Sequence, residues 1–181
     1  MLKNCLKLCL LLTLVGVLPS IARTQNGQPT LHKFKADLIG FDEVPSLSTP
    51  ASGTFRMEID PTDSSFDYEL SYSGLVGNVT QAHIHIAQKD VNGAIMVFFC
   101  TNLGNGPAGT QLCPGPNAGS VTGTITSADV VASAAGQGIA AGEFAEVLRA
   151  IRAGRVYVNV HSTVFPTGEI RGQLHHDKGV K

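Results

Sequence analysis

Hydrophobic and polar residues alternate along several short stretches of this 181-residue chain. The apolar members of four such stretches are Phe34, Ala36 and Leu38; Phe55, Met57 and Ile59; Phe66, Tyr68, Leu70 and Tyr72; and Val156, Val158 and Val160. A two-residue period predicts β-strands that bury one face in a core. Similar patterns near residues 81–87, 94–99, 119–125 and 168–174 bring the expected number of strands to about eight. Turn residues separate them, so we predict an all-β fold, a Greek-key β-sandwich or barrel of antiparallel strands.

The stretch from residue 127 to residue 153 has a different pattern, because it is rich in Ala and lacks Pro. Its apolar residues at helical spacing are Phe144, Val147, Leu148 and Ile151. This spacing predicts one or two short helices in a connection between strands. We expect Ser127 to cap the first helix and Gly154 to end the second in a left-handed conformation.

The first 22 residues have the pattern of a cleavable signal peptide. Two lysines flank the start of an apolar run (8–18) that is shorter than the roughly 20 residues needed to span a bilayer. Small residues, Ser20 and Ala22, precede the expected cut. We therefore predict a secreted, extracellular protein, periplasmic or at the cell surface in a bacterium, with no membrane anchor in its mature form.

The remaining chain is long enough for one domain with a core of its own. We expect residues 23–30 to form a polar, disordered lead-in and residues 176–181 a C-terminal tail. The full chain carries 13 Lys and Arg residues against 14 Asp and Glu residues, and the peptide would remove two of the basic ones. Nucleic acid is therefore excluded as an expected partner, because it requires a basic face.

Two features predict covalent modification outside the cytoplasm. Cys100 and Cys113 are the cysteines left after peptide removal, and a disulfide between them would close a small loop worth about 3 kcal/mol. Their spacing is far from the two-residue gap of CxxC metal or redox sites. Asn78 begins an Asn-Val-Thr glycosylation sequon, which matters only where the eukaryotic machinery is present.

Three histidines carry the candidate chemistry. His83 and His85 are two apart on a predicted strand, so their side chains share one face, about 6.5 Å apart along the chain. His161 ends another predicted strand, on the face opposite its valines. Three neutral imidazoles would suit copper or zinc if the strand order brings them together. The alternative is that these histidines are half-exposed residues that serve the fold or a partner surface.

A second polar face is predicted on the last strand. Glu169, Arg171 and Gln173 alternate with apolar residues there. Glu169 and Arg171 are expected to form a surface or cross-strand ion pair, worth under about 1 kcal/mol. If this face adjoins the histidines, Arg171 would attract an anion to them.

Four motifs, taken together, resemble the CHRD domain, which is named from chordin and also occurs as small secreted proteins. They are AHIH at 82–85, the helical stretch 142–154, VYVNVH at 156–161 and GEIRGQ at 168–173. The resemblance covers residues 31–175 and implies a stand-alone secreted CHRD protein.

The CHRD domain in turn resembles the β-barrel of copper/zinc superoxide dismutase. That barrel also has an HxH strand and a later strand of the form Gly-Arg-…-Val-His, which residues 154–161 match here. The resemblance implies a copper site made of His83, His85 and His161. No histidine lies between His85 and His161, which excludes a bridging imidazolate and a zinc site in that region and argues against a two-metal dismutase.

Our leading hypothesis is a secreted, non-enzymatic CHRD protein that binds copper through the three histidines. One alternative is a module that binds an extracellular protein or polysaccharide, with structural histidines. Another is a copper-only redox enzyme of the superoxide dismutase kind. Hydrolase chemistry is not indicated, since the chain has no GxSxG motif.

Overall fold

The computed structural model describes residues 32–179. The predicted signal peptide (1–22), the lead-in (23–30) and the last two residues of the predicted tail lie outside the described residues. Within the described part the strands are β1 (Lys33–Ile39), β2 (Ser52–Ile59), β3 (Phe66–Ser73), β4 (Val79–Ile86), β5 (Ile95–Thr101), β6 (Gly119–Ile125), β7 (Val156–Ser162), β8 (Ile170–Gln173) and β9 (His175–His176).

The strands form one antiparallel sheet in the order β5-β4-β7-β8-β1-β2-β3-β6, and the short β9 pairs with β1. The sheet curls into a nearly closed barrel whose edge strands are β5 and β6. Gln111, in the loop between these two strands, bridges the gap. Its backbone oxygen accepts from Thr101 N at 3.0 Å, and its side chain donates to Thr122 O on β6 at 3.0 Å. The prediction of an antiparallel all-β barrel is confirmed.

The barrel interior is filled by the alternating apolar residues of the sequence pattern. All members of the four sets that begin at Phe34, Phe55, Phe66 and Val156 are buried. Phe99 on β5 lies across the interior from β2 and β3, with its ring centre 4.9 Å from that of Phe55. Edge-on and tilted ring contacts of this kind add to the free energy gained by burial, so the aromatic cluster helps to close the barrel.

The connection between β6 and β7 contains the predicted helices. Two short 3-10 helices (Ser127–Asp129 and Ala132–Gln137) precede α1 (Phe144–Arg152), and a further 3-10 turn (Gly40–Asp42) follows β1. The side chains of α1 that pack on the barrel are the four that the spacing identified: Phe144, Val147, Leu148 and Ile151. None of the helices within residues 32–179 is long and apolar enough to cross a membrane.

The two predicted helix ends have different outcomes. The cap at Ser127 is wrong by one residue, because Thr126 holds the capping position and its hydroxyl accepts from Ala128 N at 3.3 Å. The side chain of Asp129 accepts from Thr126 N in return, at 2.8 Å. This reciprocal pair is a capping box, so the cap is Thr126 and the helix begins at Ser127. The left-handed end at Gly154 is confirmed, with φ of +66°.

Candidate metal centre

The strand order places the three histidines in one cluster. β7 lies beside β4 although the two are far apart in sequence, and their register pairs Gln81 with His161 and His83 with Asn159. His83, His85 and His161 are 0%, 7% and 6% exposed. One ring nitrogen from each lies within 4.8 Å of the others. The structure therefore brings together all three predicted ligands, on the face of β4 and β7 that points away from the valines.

Backbone carbonyls hold two of the rings in a defined orientation. His85 Nδ1 lies 2.9 Å from Gly93 O, and His161 Nδ1 lies 3.0 Å from Pro166 O. A carbonyl oxygen only accepts, so each Nδ1 carries the proton and the neutral ring keeps a lone pair on Nε2. Metal-binding histidines are oriented by second partners of this kind.

The cluster is neutral at physiological pH. Burial is the main cause that lowers the pKa of His83 to about 2, with the neighbouring His161 and His85 adding to it. Burial also lowers the pKa of His85 to about 4 and that of His161 to about 4. Neutral imidazole is the form that binds metal ions, so no proton has to leave the cluster at neutral pH.

The distances fit a single first-row metal ion. An imidazole nitrogen binds such an ion at about 2.0–2.1 Å, which puts adjacent ligand atoms about 2.9–3.4 Å apart and opposite ones at most about 4.2 Å apart. His83 Nδ1 and His161 Nε2 are 3.1 Å apart. Given the 4.8 Å span of the trio, the widest pair reaches opposite positions on one ion after closing by about 0.6 Å. In addition, the buried Nε2 atom of His85, which keeps its lone pair, has no hydrogen-bond partner.

Tyr157 connects the cluster to Arg171. The Tyr157 ring stacks on His85, with ring centres 4.6 Å apart and planes at 5°. From the strand on the other side, the Arg171 guanidinium lies 3.4 Å from the centre of the same ring. Arg171 also donates to Asn92 Oδ1 at 3.0 Å and to Val91 O at 2.8 Å. The predicted face of β8 does adjoin the histidines, and attraction of an anion by Arg171 stays a prediction.

The predicted ion pair between Glu169 and Arg171 is wrong. Both residues are buried, at 0% and 2% exposure, and each has other partners. Glu169 Oε1 accepts from Thr49 Oγ1 at 2.8 Å and from Val76 N at 2.7 Å. The surface pair does not form because loops cover this face of the barrel, and Glu169 ties two of them to the start of β8.

Glu43 is a buried acid beside the cluster that the sequence pattern did not identify. It is 7% exposed, and burial raises its pKa to about 7 against the opposing effects of Arg171 and of hydrogen bonds from Asn159 and Val44. A Cβ on Gly168 would lie 2.3 Å from Glu43 Oε1, so only glycine leaves room for the carboxylate. Glu43 lies in a loop without periodicity, and only the fold shows where it points.

The predicted disulfide is confirmed, since Cys100 and Cys113 are bonded and both are buried. It anchors the loop that bridges β5 and β6. Asn78 is exposed just before β4, and its glycosylation stays a prediction.

A family comparison covers the whole barrel. The model of the CHRD domain matches residues 34–174, which include all three histidines and the eight strands of the barrel path. The chain belongs to the CHRD family. The predicted resemblance to CHRD domains is thus confirmed, whereas the resemblance to the superoxide dismutase barrel stays a prediction. A search of curated proteins found no match to this CHRD protein.

Proposed function

We propose that this CHRD domain binds one copper ion through His83, His85 and His161 and does so outside the cytoplasm. The observation that carries the proposal is a cluster of three buried, neutral imidazoles that each offer one ring nitrogen within 4.8 Å of the others, and in which His85 Nε2 lacks a hydrogen-bond partner. A buried polar atom without a partner costs about 1–3 kcal/mol, and a bound cation would offset that cost.

Copper is the metal that the ligand set favours. Imidazole nitrogen suits both copper and zinc, but Cu(II) stands above Zn(II) in intrinsic affinity for such ligands. The disulfide supports an oxidising compartment, where disulfides persist. In that compartment copper would be mainly Cu(II), so location and ligand type agree.

A binding role is favoured over catalysis by the depth of the site. None of the three histidines is more than 7% exposed, and Tyr157 and the loops around Arg171 cover them. A reacting molecule would need a path to the metal. We therefore propose that the protein holds or carries copper.

The test is copper uptake by purified wild type compared with His83→Ala and His161→Ala. We expect one Cu(II) per wild-type chain by elemental analysis, and an affinity more than 10-fold weaker in both variants, because each loses a direct ligand. His175→Ala is the matched control, since His175 is exposed and lies outside the cluster. Near-ultraviolet circular dichroism verifies folding. Equal copper uptake by all four proteins would end the proposal.

A second measurement separates a binder from an enzyme. The copper-loaded protein is mixed with superoxide, and the rate of consumption is compared with that of the same concentration of uncomplexed copper. We expect the protein-bound copper to be the slower of the two because its ligands are buried. Faster consumption would support a copper-only redox enzyme instead.

A further inference from the structure

A cavity of about 210 Å³ lies beside the loop that holds His161. One of its walls is residues 43–47, and the other belongs to the stretch 165–168. Pro166 lies within this second stretch, and its backbone oxygen accepts from His161 Nδ1 at 3.0 Å. Thr167 in the lining is exposed, so the cavity reaches solvent.

The first wall is tied to the other side of the histidine cluster by Asn92. The Asn92 Nδ2 donates to Val44 O at 3.1 Å, and Asn92 Oδ1 accepts from Arg171 at 3.0 Å. The guanidinium of Arg171 lies on the Tyr157 ring, which stacks on His85. Both walls of the cavity are thus attached to residues that hold the histidines.

Glu43 is the only ionisable residue that lines this cavity. It is 7% exposed, and its Oε1 is buried without a hydrogen-bond partner. Within residues 32–179 it takes part in no ion pair. The carboxylate occupies the space that a side chain at residue 168 would need, since a Cβ on Gly168 would lie 2.3 Å from Oε1. A buried acid with no cation and an unused oxygen is costly to the fold, so its place in the cavity points to a cationic ligand.

The histidines themselves are closed to solvent. None of the three is more than 7% exposed, so a metal ion reaches them only when part of their cover moves. The wall at residues 165–168 is part of that cover, and the Glu43 carboxylate lies against it at Gly168. A carboxylate raises the local concentration of cations, and its oxygens replace water around a first-row metal ion.

We propose that Glu43 is the entry ligand of the histidine cluster: its carboxylate binds hydrated Cu(II) in the cavity before the ion reaches His83, His85 and His161. This inference rests on the proposed function, because it names the route into that site. An entry ligand that is absent from the final ligand set speeds binding and release by similar factors, because both use the same path. Glu43 therefore sets the rates and leaves the affinity nearly unchanged.

The test measures the rate at which the metal-free full chain takes up Cu(II) in a stopped-flow mixer. Tyrosine fluorescence reports binding, because Tyr157 stacks on His85 and the chain has no Trp. In Glu43→Gln we expect uptake and chelator-driven release each to be slower by at least about 10-fold. The dissociation constant should stay within about threefold of the wild-type value, with a wild-type electron paramagnetic resonance spectrum. Glu58→Gln is the matched control, since Glu58 is exposed and lies outside the cavity, and it should keep the wild-type rates.

Thr167→Lys tests the route without changing Glu43. Thr167 is exposed, so the variant is expected to fold, and a positive charge in the cavity lining should slow the uptake of a cation at low salt. Thr122→Lys, at an exposed position of β6, is its control and should keep the wild-type rate.

Wild-type uptake rates in Glu43→Gln or in Thr167→Lys would overturn the inference and leave the three-histidine site standing. Faster release from Glu43→Gln with an altered copper spectrum would also overturn it, because Glu43 would then belong to the final site. A wild-type chain that takes up no Cu(II) overturns the proposed function as well.

Discussion

At the scale of single residues, two backbone carbonyls decide how the histidine cluster presents its lone pairs. Because Gly93 O and Pro166 O each accept a hydrogen bond from a protonated Nδ1, the Nε2 atoms of His85 and His161 are left as acceptors. Burial of the three rings penalises the charged imidazolium, and it is the main cause of their low pKa values. The bonds to Gly93 and Pro166 act against this lowering of the pKa values, and they leave the Nε2 lone pairs of His85 and His161 free to bind a cation.

This cause predicts that the metal-free protein is destabilised by mild acid. The unfolded histidines titrate near 6.5, and the folded ones near 2 to 4, so below about pH 6.5 the unfolded state binds more protons. Stability is fully present above that pH and is lost as the pH falls, by up to about 1.4 kcal/mol per pH unit for each histidine. Urea unfolding of chelator-treated protein at pH 7.5, 6.5 and 5.5 measures this loss.

The ionisation of Glu43 changes the stability in the opposite direction with pH, so a variant at Glu43 provides the control. Its folded pKa of about 7 lies above the 4.5 of the unfolded chain, so its contribution is present at low pH and is lost as the pH rises through about 7. Glu43→Gln removes this opposing contribution, so the free energy of unfolding of the variant should fall more steeply with decreasing pH than that of wild type. Glu58→Gln, at an exposed acid, should follow wild type. A metal-free wild type with constant stability across this range would contradict the neutral, buried cluster.

The space at Gly168 gives a second prediction. Gly168→Ala places a methyl group against the Glu43 carboxylate at a backbone φ of +135°, so we expect a loss of about 2–3 kcal/mol in the free energy of unfolding. Gly136→Ala is the matched control, because nothing lies within 4 Å of its Cβ position. Urea unfolding of both compares them. Equal stability of the two variants would show that the Glu43 carboxylate is not confined by Gly168.

Sequence could predict only part of the site at this scale. His83 and His85 share a face because strand side chains repeat every two residues. The proximity of His161 depends on β7 inserting between β4 and β8, which no local pattern encodes. Glu43 lies in a loop, where packing sets the direction of its side chain and no sequence period predicts it.

At the scale of elements, alternation predicts strands well but predicts their exposure badly where loops cover a face. β7 alternates valines with polar residues, yet all seven of its residues are buried. The polar face is closed by Tyr157 stacking, by the loop that contacts Arg171 and by the loop that ends at Pro166. The predicted surface ion pair on β8 was wrong for the same reason. A two-residue period shows which side chains share a face, but not whether that face is exposed to solvent.

The helix start between β6 and α1 can be tested at this scale. Thr126 accepts from a backbone N–H and is bonded by Asp129 in return, whereas Ser127 is the first helical residue. We expect Thr126→Ala to lower the free energy of unfolding by about 0.5–1 kcal/mol and Ser127→Ala to leave it nearly unchanged. Urea unfolding measures both. A larger loss in Ser127→Ala would restore the cap that the sequence suggested.

At the scale of the whole molecule, the barrel is closed by a loop and not by a strand pair. No pairing links β5 with β6 in residues 32–179, and Gln111 contacts Thr101, Thr122 and the Tyr68 hydroxyl across the gap. The Cys100–Cys113 disulfide holds the two ends of this loop together. Period-two patterns could not reveal the closure, because the bridging residue belongs to an irregular segment.

The disulfide should therefore stabilise the barrel where it is least closed. We expect Cys100→Ala with Cys113→Ala to lower the free energy of unfolding by about 3 kcal/mol, since the unfolded chain regains the entropy of the loop. In this double variant, the backbone amides along β5 and β6 should exchange hydrogen faster than those of β1 and β2, which have paired neighbours on both sides. Copper stoichiometry should stay at that of wild type, because the histidines belong to β4 and β7. Uniform exchange across all strands of the double variant would show that the disulfide-linked loop does not close the barrel. Loss of copper binding by this variant would show that the closure also shapes the histidine cluster.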